Sequence, residues 1–168
     1  PDGKFLLFGG AGGRPRVLDV TTGKDWPLID PPYAPAWTSG GSWSPDGSRI
    51  VFGGCETTLK SASGSCATTD LLITDREGNI AKLVVGPNVW THDPIWSPDG
   101  QWIAFHEACG VSLIRPDGTG KQAIMQSGVE GACTITMAWS PDSQHIAWVG
   151  GTGGDLDIYR IWSINIDG

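Results

Sequence analysis

A motif that returns four times constrains the fold of this chain more than any other feature. PDGKFLLFGG begins at Pro1, SWSPDGSRIVFGG at Ser42, IWSPDGQWIAFHE at Ile95 and AWSPDSQHIAWVG at Ala138. The motif proline falls at positions 1, 45, 98 and 141, giving intervals of 44, 53 and 43 residues. A period of that length marks supersecondary units that bury their apolar faces only against one another. Each copy reads as strand, tight turn, strand. Pro45, Pro98 and Pro141 preset φ at the first central turn position, Asp46, Asp99 and Asp142 can accept bonds from nearby amides, and Gly47 and Gly100 take up the positive φ that closes the turn. Ser143 replaces that glycine in the last copy. Its turn is expected to be strained or differently shaped, at a cost of about 1 kcal/mol.

After each turn come two or three β-branched and aromatic runs separated by further turn signals such as Thr22-Gly23, Asp117-Gly118 and Asp167-Gly168. No helical period with caps interrupts them. The expected fold class is therefore an all-β β-propeller of about four consecutive blades, near 1–32, 33–87, 88–128 and 129–168. With strands labelled a to d from the ring centre outward, the chain runs bcd, abcd, abcd, abc. Of the 14 strands expected, the first blade lacks strand a and the last lacks strand d. The chain is expected to form part of a larger ring.

The repeated mark stands as Trp43 to Gly47 with Ile50, Val51 and Phe52, as Trp96 to Gly100 with Ile103, Ala104 and Phe105, and as Trp139 to Ser143 with Ile146, Ala147 and Trp148. It resembles the W-S-P-D-G repeat of the TolB-like β-propeller family over nearly the whole chain. The resemblance implies a propeller of about six blades or more. It leaves function open, because such propellers serve as envelope proteins, accessory domains of serine peptidases, sugar lyases and stand-alone modules.

Four cysteines allow three pairings. Cys55 and Cys66 bracket the enlarged loop of the second repeat, and the b–c loop of Cys109 emerges on the same face as the d–a loop of Cys133. Disulfides 55–66 and 109–133 are expected, and with them an extracellular or periplasmic location. No C-x-x-C motif occurs and the three His are not spaced as ligands, so no metal and no cofactor are expected.

The formal net charge is −7 and the 11 Lys and Arg are scattered, which excludes the basic stripe that nucleic-acid backbones require. Purely apolar runs such as Phe5-Leu6-Leu7-Phe8 fall far short of the roughly 18 residues of a membrane span, so no membrane insertion is expected. No catalytic residue is expected: Gly40-Gly41-Ser42-Trp43-Ser44 lacks the last glycine of a nucleophile elbow. The candidate binding residues are Tyr33, Trp37 and Trp90, which could line an aromatic surface, and His92, Asp93 and Glu107. With His106, these last three could coordinate a cation or act as an acid/base pair. The expected role is a non-enzymatic scaffold that binds a protein or glycan partner, with the rest of the ring supplied by the same chain or other subunits. The alternatives are an accessory propeller of a larger serine peptidase and a metal-assisted polysaccharide lyase.

Overall fold

The computed structural model describes residues 2–9, 15–28, 33–34, 40–56, 70–76, 78–83, 91–125, 134–152 and 155–167. Among them the fold is all-β, in four antiparallel sheets. The first sheet orders β1 (Phe5–Gly9), β2 (Pro15–Asp19) and β3 (Asp25–Pro27). In the second, β4 (Tyr33–Ala34) and β5 (Gly41–Trp43) both pair with β6 (Arg49–Glu56), which continues to β7 (Asp70–Asp75) and β8 (Ile80–Leu83). The third runs from β9 (Thr91–Trp96) through β10 (Ile103–Glu107) and β11 (Gly110–Ile114) to β12 (Gln122–Met125). The fourth holds β13 (Thr134–Trp139), β14 (His145–Thr152) and β15 (Asp155–Asn165).

Fifteen described strands stand against the fourteen expected, because the inner strand of the second sheet is divided into β4 and β5 along one edge of β6. The last hairpin is also longer than its sequence suggests. β15 starts at Asp155, opposite Thr152, and its register with β14 slips once between Gly151 and Thr152.

Alternation along each strand sends neighbouring side chains to opposite sheet faces, so every sheet can pack on both sides. Ile50, Phe52 and Leu72 face back onto Val17 and Leu28 of the first sheet. Val51, Leu71 and Ile73 face forward onto Trp96, Ile103, Phe105 and Ile114 of the third. Ala104, Val111 and Leu113 meet Met137 and Ile146 of the fourth. The motif tryptophans belong to these contacts: Trp96 is 6 % exposed within its cluster, and the ring of Trp43 lies 6.4 Å from that of Phe5.

The repeated turn is a hydrogen-bonded unit. Ser97 Oγ donates to Asp99 Oδ1 at 2.6 Å and accepts from the Trp102 amide at 2.9 Å, while Asp99 Oδ1 accepts from the Gln101 amide at 3.0 Å. Ser44/Asp46 and Ser140/Asp142 repeat the pattern. The Ser44 hydroxyl, followed by the Ser48 amide, holds the Asp46 carboxyl down at about 2. At the position without glycine, Ser143 keeps the turn and adopts φ 62°. Its buried hydroxyl accepts from the Asp99 amide at 3.0 Å, so the residue that strains one turn also ties it to the turn of the neighbouring sheet. One hydrogen bond of this kind contributes about 1 kcal/mol, comparable to the backbone cost. Arg76 makes a similar tie between the first two sheets: its guanidinium lies over Phe5 of β1, 4.7 Å from the ring centroid, while its Nε donates to Gly47 O at 2.8 Å within its own sheet.

Candidate functional site

The polar group that the sequence singles out lies where β9 begins and β10 ends, opposite the Ser-Pro-Asp turns. His92 is register partner of His106, and their rings stack at 4.7 Å with 19° between planes. His106 is fully buried. Burial, followed by the nearby His92, pushes its pKa down to about 4, while Asp93 pulls weakly the other way. Asp93 Oδ2 lies 3.1 Å from His92 Nδ1.

Asp93 takes φ 49°, a left-handed conformation that Asp tolerates better than most side chains, and the β9–β10 register slips between Ala104 and His106 beside it. Two glycines of the second sheet make room. A Cβ on Gly40, itself at φ +63°, would meet Asp93 Oδ1 at 3.3 Å, and one on Gly53 would meet Thr91 O at 3.3 Å. Next to Gly40 opens a cavity of about 200 Å³ between the first two sheets, lined by Leu7, Phe8, Gly9, Pro15, Gly40, Gly41 and Phe52. It is smaller than the roughly 300–1,000 Å³ of pockets that enclose a whole drug-sized ligand, and suits one large side chain or a single sugar ring.

Glu107 does not join this group. It follows His106 on β10 and therefore points to the other face of the sheet. There its carboxylate accepts from Ser112 Oγ at 2.6 Å and pairs with Lys121 Nζ at 2.5 Å. Tyr33 lies on β4 with its backbone opposite Glu56. Trp37 and Trp90 lie outside the described residues, as do Cys66 and Cys133, and Cys55 sits on β6 opposite Ala34. Cys109, in the turn between β10 and β11, is not a free thiol.

The stacked rings limit the chemistry of the two histidines. Imidazole lone pairs lie in the ring plane, and planes 19° apart at this separation meet on the order of 10 Å away, against the ~2.1 Å of a metal–nitrogen bond. In this arrangement the pair does not share one ion, and among the described residues no group of three or more His, Cys, Asp or Glu gathers around a common point. The motif serines are occupied by their turns, and Ser42 Oγ accepts from the Trp96 amide at 3.2 Å across two sheets. The cavity and the glycines beneath Asp93 are the parts of the site that sequence reasoning missed. Gly40 and Gly53 were the available signal, since a glycine beside or inside a strand often marks a close backbone approach.

No protein-family model matches the chain, and no curated protein is similar to it in sequence. Solved structures are similar in fold. The oligogalacturonate lyase of Vibrio parahaemolyticus has a TM-score of 0.73 at 18 % identity, over 99 % of this chain and 48 % of its own. TolB of Acinetobacter baumannii has 0.70 at 17 %, over 99 % and 39 %. A chain of a nidogen–laminin complex has 0.68 at 13 %, over 98 % and 58 %. Four antiparallel sheets packed face to face in chain order are thus a β-propeller arrangement. The fold is similar to those of TolB and of the oligogalacturonate lyase. The chain spans about half the length of the lyase it matches.

Proposed function

We propose that this chain is four consecutive blades of a larger propeller ring, the first without its inner strand and the last without its outer one, and that it serves a secreted or cell-envelope protein as a non-catalytic scaffold for a protein or glycan partner. The observation that carries this reading is the small cavity beside His92 and Asp93 on the face opposite the repeated turns. It is a recess of about 200 Å³ with apolar walls, suited to holding one ring or side chain, and its Gly40 lies against Asp93. The likeness to a sugar lyase makes the glycan arm concrete. Calorimetric titration with oligogalacturonate is expected to show binding that weakens in Gly40→Leu, with no unsaturated sugar ends released. Release of such ends, abolished by His92→Ala, would replace the scaffold reading with that of a polysaccharide lyase.

The location rests on the cysteines. Cys109 is bonded to Cys133 and Cys55 to Cys66 in this proposal, each link removing loop entropy from the unfolded chain, on the order of 3 kcal/mol for loops of this size. Peptide mapping without reduction is expected to recover those two linked pairs. A Cys66–Cys109 peptide would overturn the assignment of loops to faces.

A further inference from the structure

The two stacked imidazoles stand in unequal surroundings. His92 keeps 38 % of its side chain in solvent and has the Asp93 carboxylate 3.1 Å from Nδ1, so a proton on it completes an ion pair. His106 is fully buried, and a proton on it would face the other ring at 4.7 Å. Like charges that close, with protein and not water around them, repel strongly. Among the described residues, the neighbouring elements bring no further charge to the pair. Glu107 is turned to the other sheet face with Ser112 and Lys121. β11 places Val111 opposite His106, β13 carries no ionisable side chain, and β6 approaches with Gly53 against Thr91 O.

His106 is held between sheets, so the ring that gives way when both are charged is His92. Its strand end is built to release. The β9–β10 register slips between Ala104 and His106, and beyond the slip only His106↔His92 and Glu107↔Thr91 remain paired. Pro94, just inside, has no amide to add to the ladder. Asp93 holds φ 49°, a conformation costly to a side-chain-bearing residue and relieved by letting go. Asp93 also links the rings to the recess: Oδ2 lies by His92 Nδ1, and Oδ1 lies against Gly40, which walls the recess. Movement of His92 therefore draws Asp93 away from Gly40.

We propose that the start of β9 is an acid-operated latch: charging both rings of the stacked pair separates them, frees residues 91–93 from β10 and opens the recess wall at Gly40, while the rest of the third sheet stays paired. As a control on ligand binding, the latch rests on the reading of the recess given above. As a movement, it is measurable without ligand. Burial, followed by His92, holds the His106 pKa down at about 4 in the closed state, and in the released state it returns toward its ordinary 6.5. Between those values acid favours release, and above them the latch stays shut.

Amide hydrogen exchange of the ligand-free protein, followed by NMR and corrected for the intrinsic effect of pH, tests the latch. Opening at residues 91–93 and 106–107 should rise on the order of a hundredfold between pH 7.5 and 4.5. It should be insensitive to low urea, as local openings are, whereas β7 and β11 exchange with the slope of global unfolding. His106→Phe should keep the neutral rates and lose the acid rise. Gly40→Ala, whose Cβ would press on Asp93 Oδ1, should raise exchange at residues 91–93 severalfold at pH 7.5. An acid rise that carries the urea slope of β7 and β11 means that the sheet opens as a whole, and it overturns the latch whatever the variants do. A rise that survives His106→Phe overturns it too, and rates at residues 91–93 indifferent to Gly40→Ala overturn its link to the recess. With the expected rates but no oligogalacturonate bound at any pH, the movement stands and the reading of the recess as a glycan site falls.

Discussion

Phe105→Ala is expected to remove about 3–5 kcal/mol of folding free energy, read as a drop in the urea midpoint at unchanged slope. Phe105 is 0 % exposed and lies among Val51, Leu71, Trp96 and Ile103, between two sheets. Truncation leaves a cavity there that two hydrogen-bonded sheets cannot collapse into without breaking their own ladders. Against a total of about 5–15 kcal/mol for an ordinary domain, the loss approaches complete unfolding. Phe8 occupies the same repeat position with the same chemistry but is 40 % exposed. In dilute monomer, Phe8→Ala should therefore cost only about 1 kcal/mol. Equal losses at the two positions would mean that the core does not lie between successive sheets.

That comparison shows how much of the fold the sequence carries. The Pro-Asp-Gly turn fixes where each hairpin closes, and Ser44, Ser97 and Ser140 close it through the same bonds in each copy. Period and alternation together therefore reveal the sheets and their strand order. Whether a position is buried is a different question. Leu6 and Ile50 are both large aliphatic residues at the same repeat position, and only the presence of a sheet in front of them decides their exposure.

The site was legible in part for related reasons. Adjacent strand residues diverge, so His106 and Glu107 could not both face His92, and that much was available from parity alone. The left-handed turn at Asp93 was not, because it depends on Gly40 and Gly53 of another sheet leaving space beneath it. The repeat interval likewise says nothing of Arg76, which holds Gly47 of its own sheet and reaches back across the first sheet boundary to Phe5. Such ties are made by side chains that the repeat leaves free to vary.

Acid is expected to weaken the fold through His106. In the folded chain this imidazole stays neutral down to about 4, because burial between sheets penalises its charged form. Unfolded, it takes up a proton near its ordinary value of 6.5. Between those two values only the unfolded state gains the proton, so stability is full above about pH 6.5 and falls as pH drops toward 4. The loss across the window is on the order of 3 kcal/mol, and below it the contribution is flat. The Asp46 carboxyl, held down at about 2, acts only under its ordinary 3.8 and so adds a separate, more acidic limb. His106→Phe removes the titrating group while keeping a ring against His92, and it should flatten the response between pH 6.5 and 4.5. Urea midpoints of parent and variant at pH 7.5, 5.5 and 4.5 provide the comparison. A slope that survives the substitution would assign the acid sensitivity to another group. A slope confined to the parent would show that the buried imidazole beside the candidate site makes the fold sensitive to mild acid.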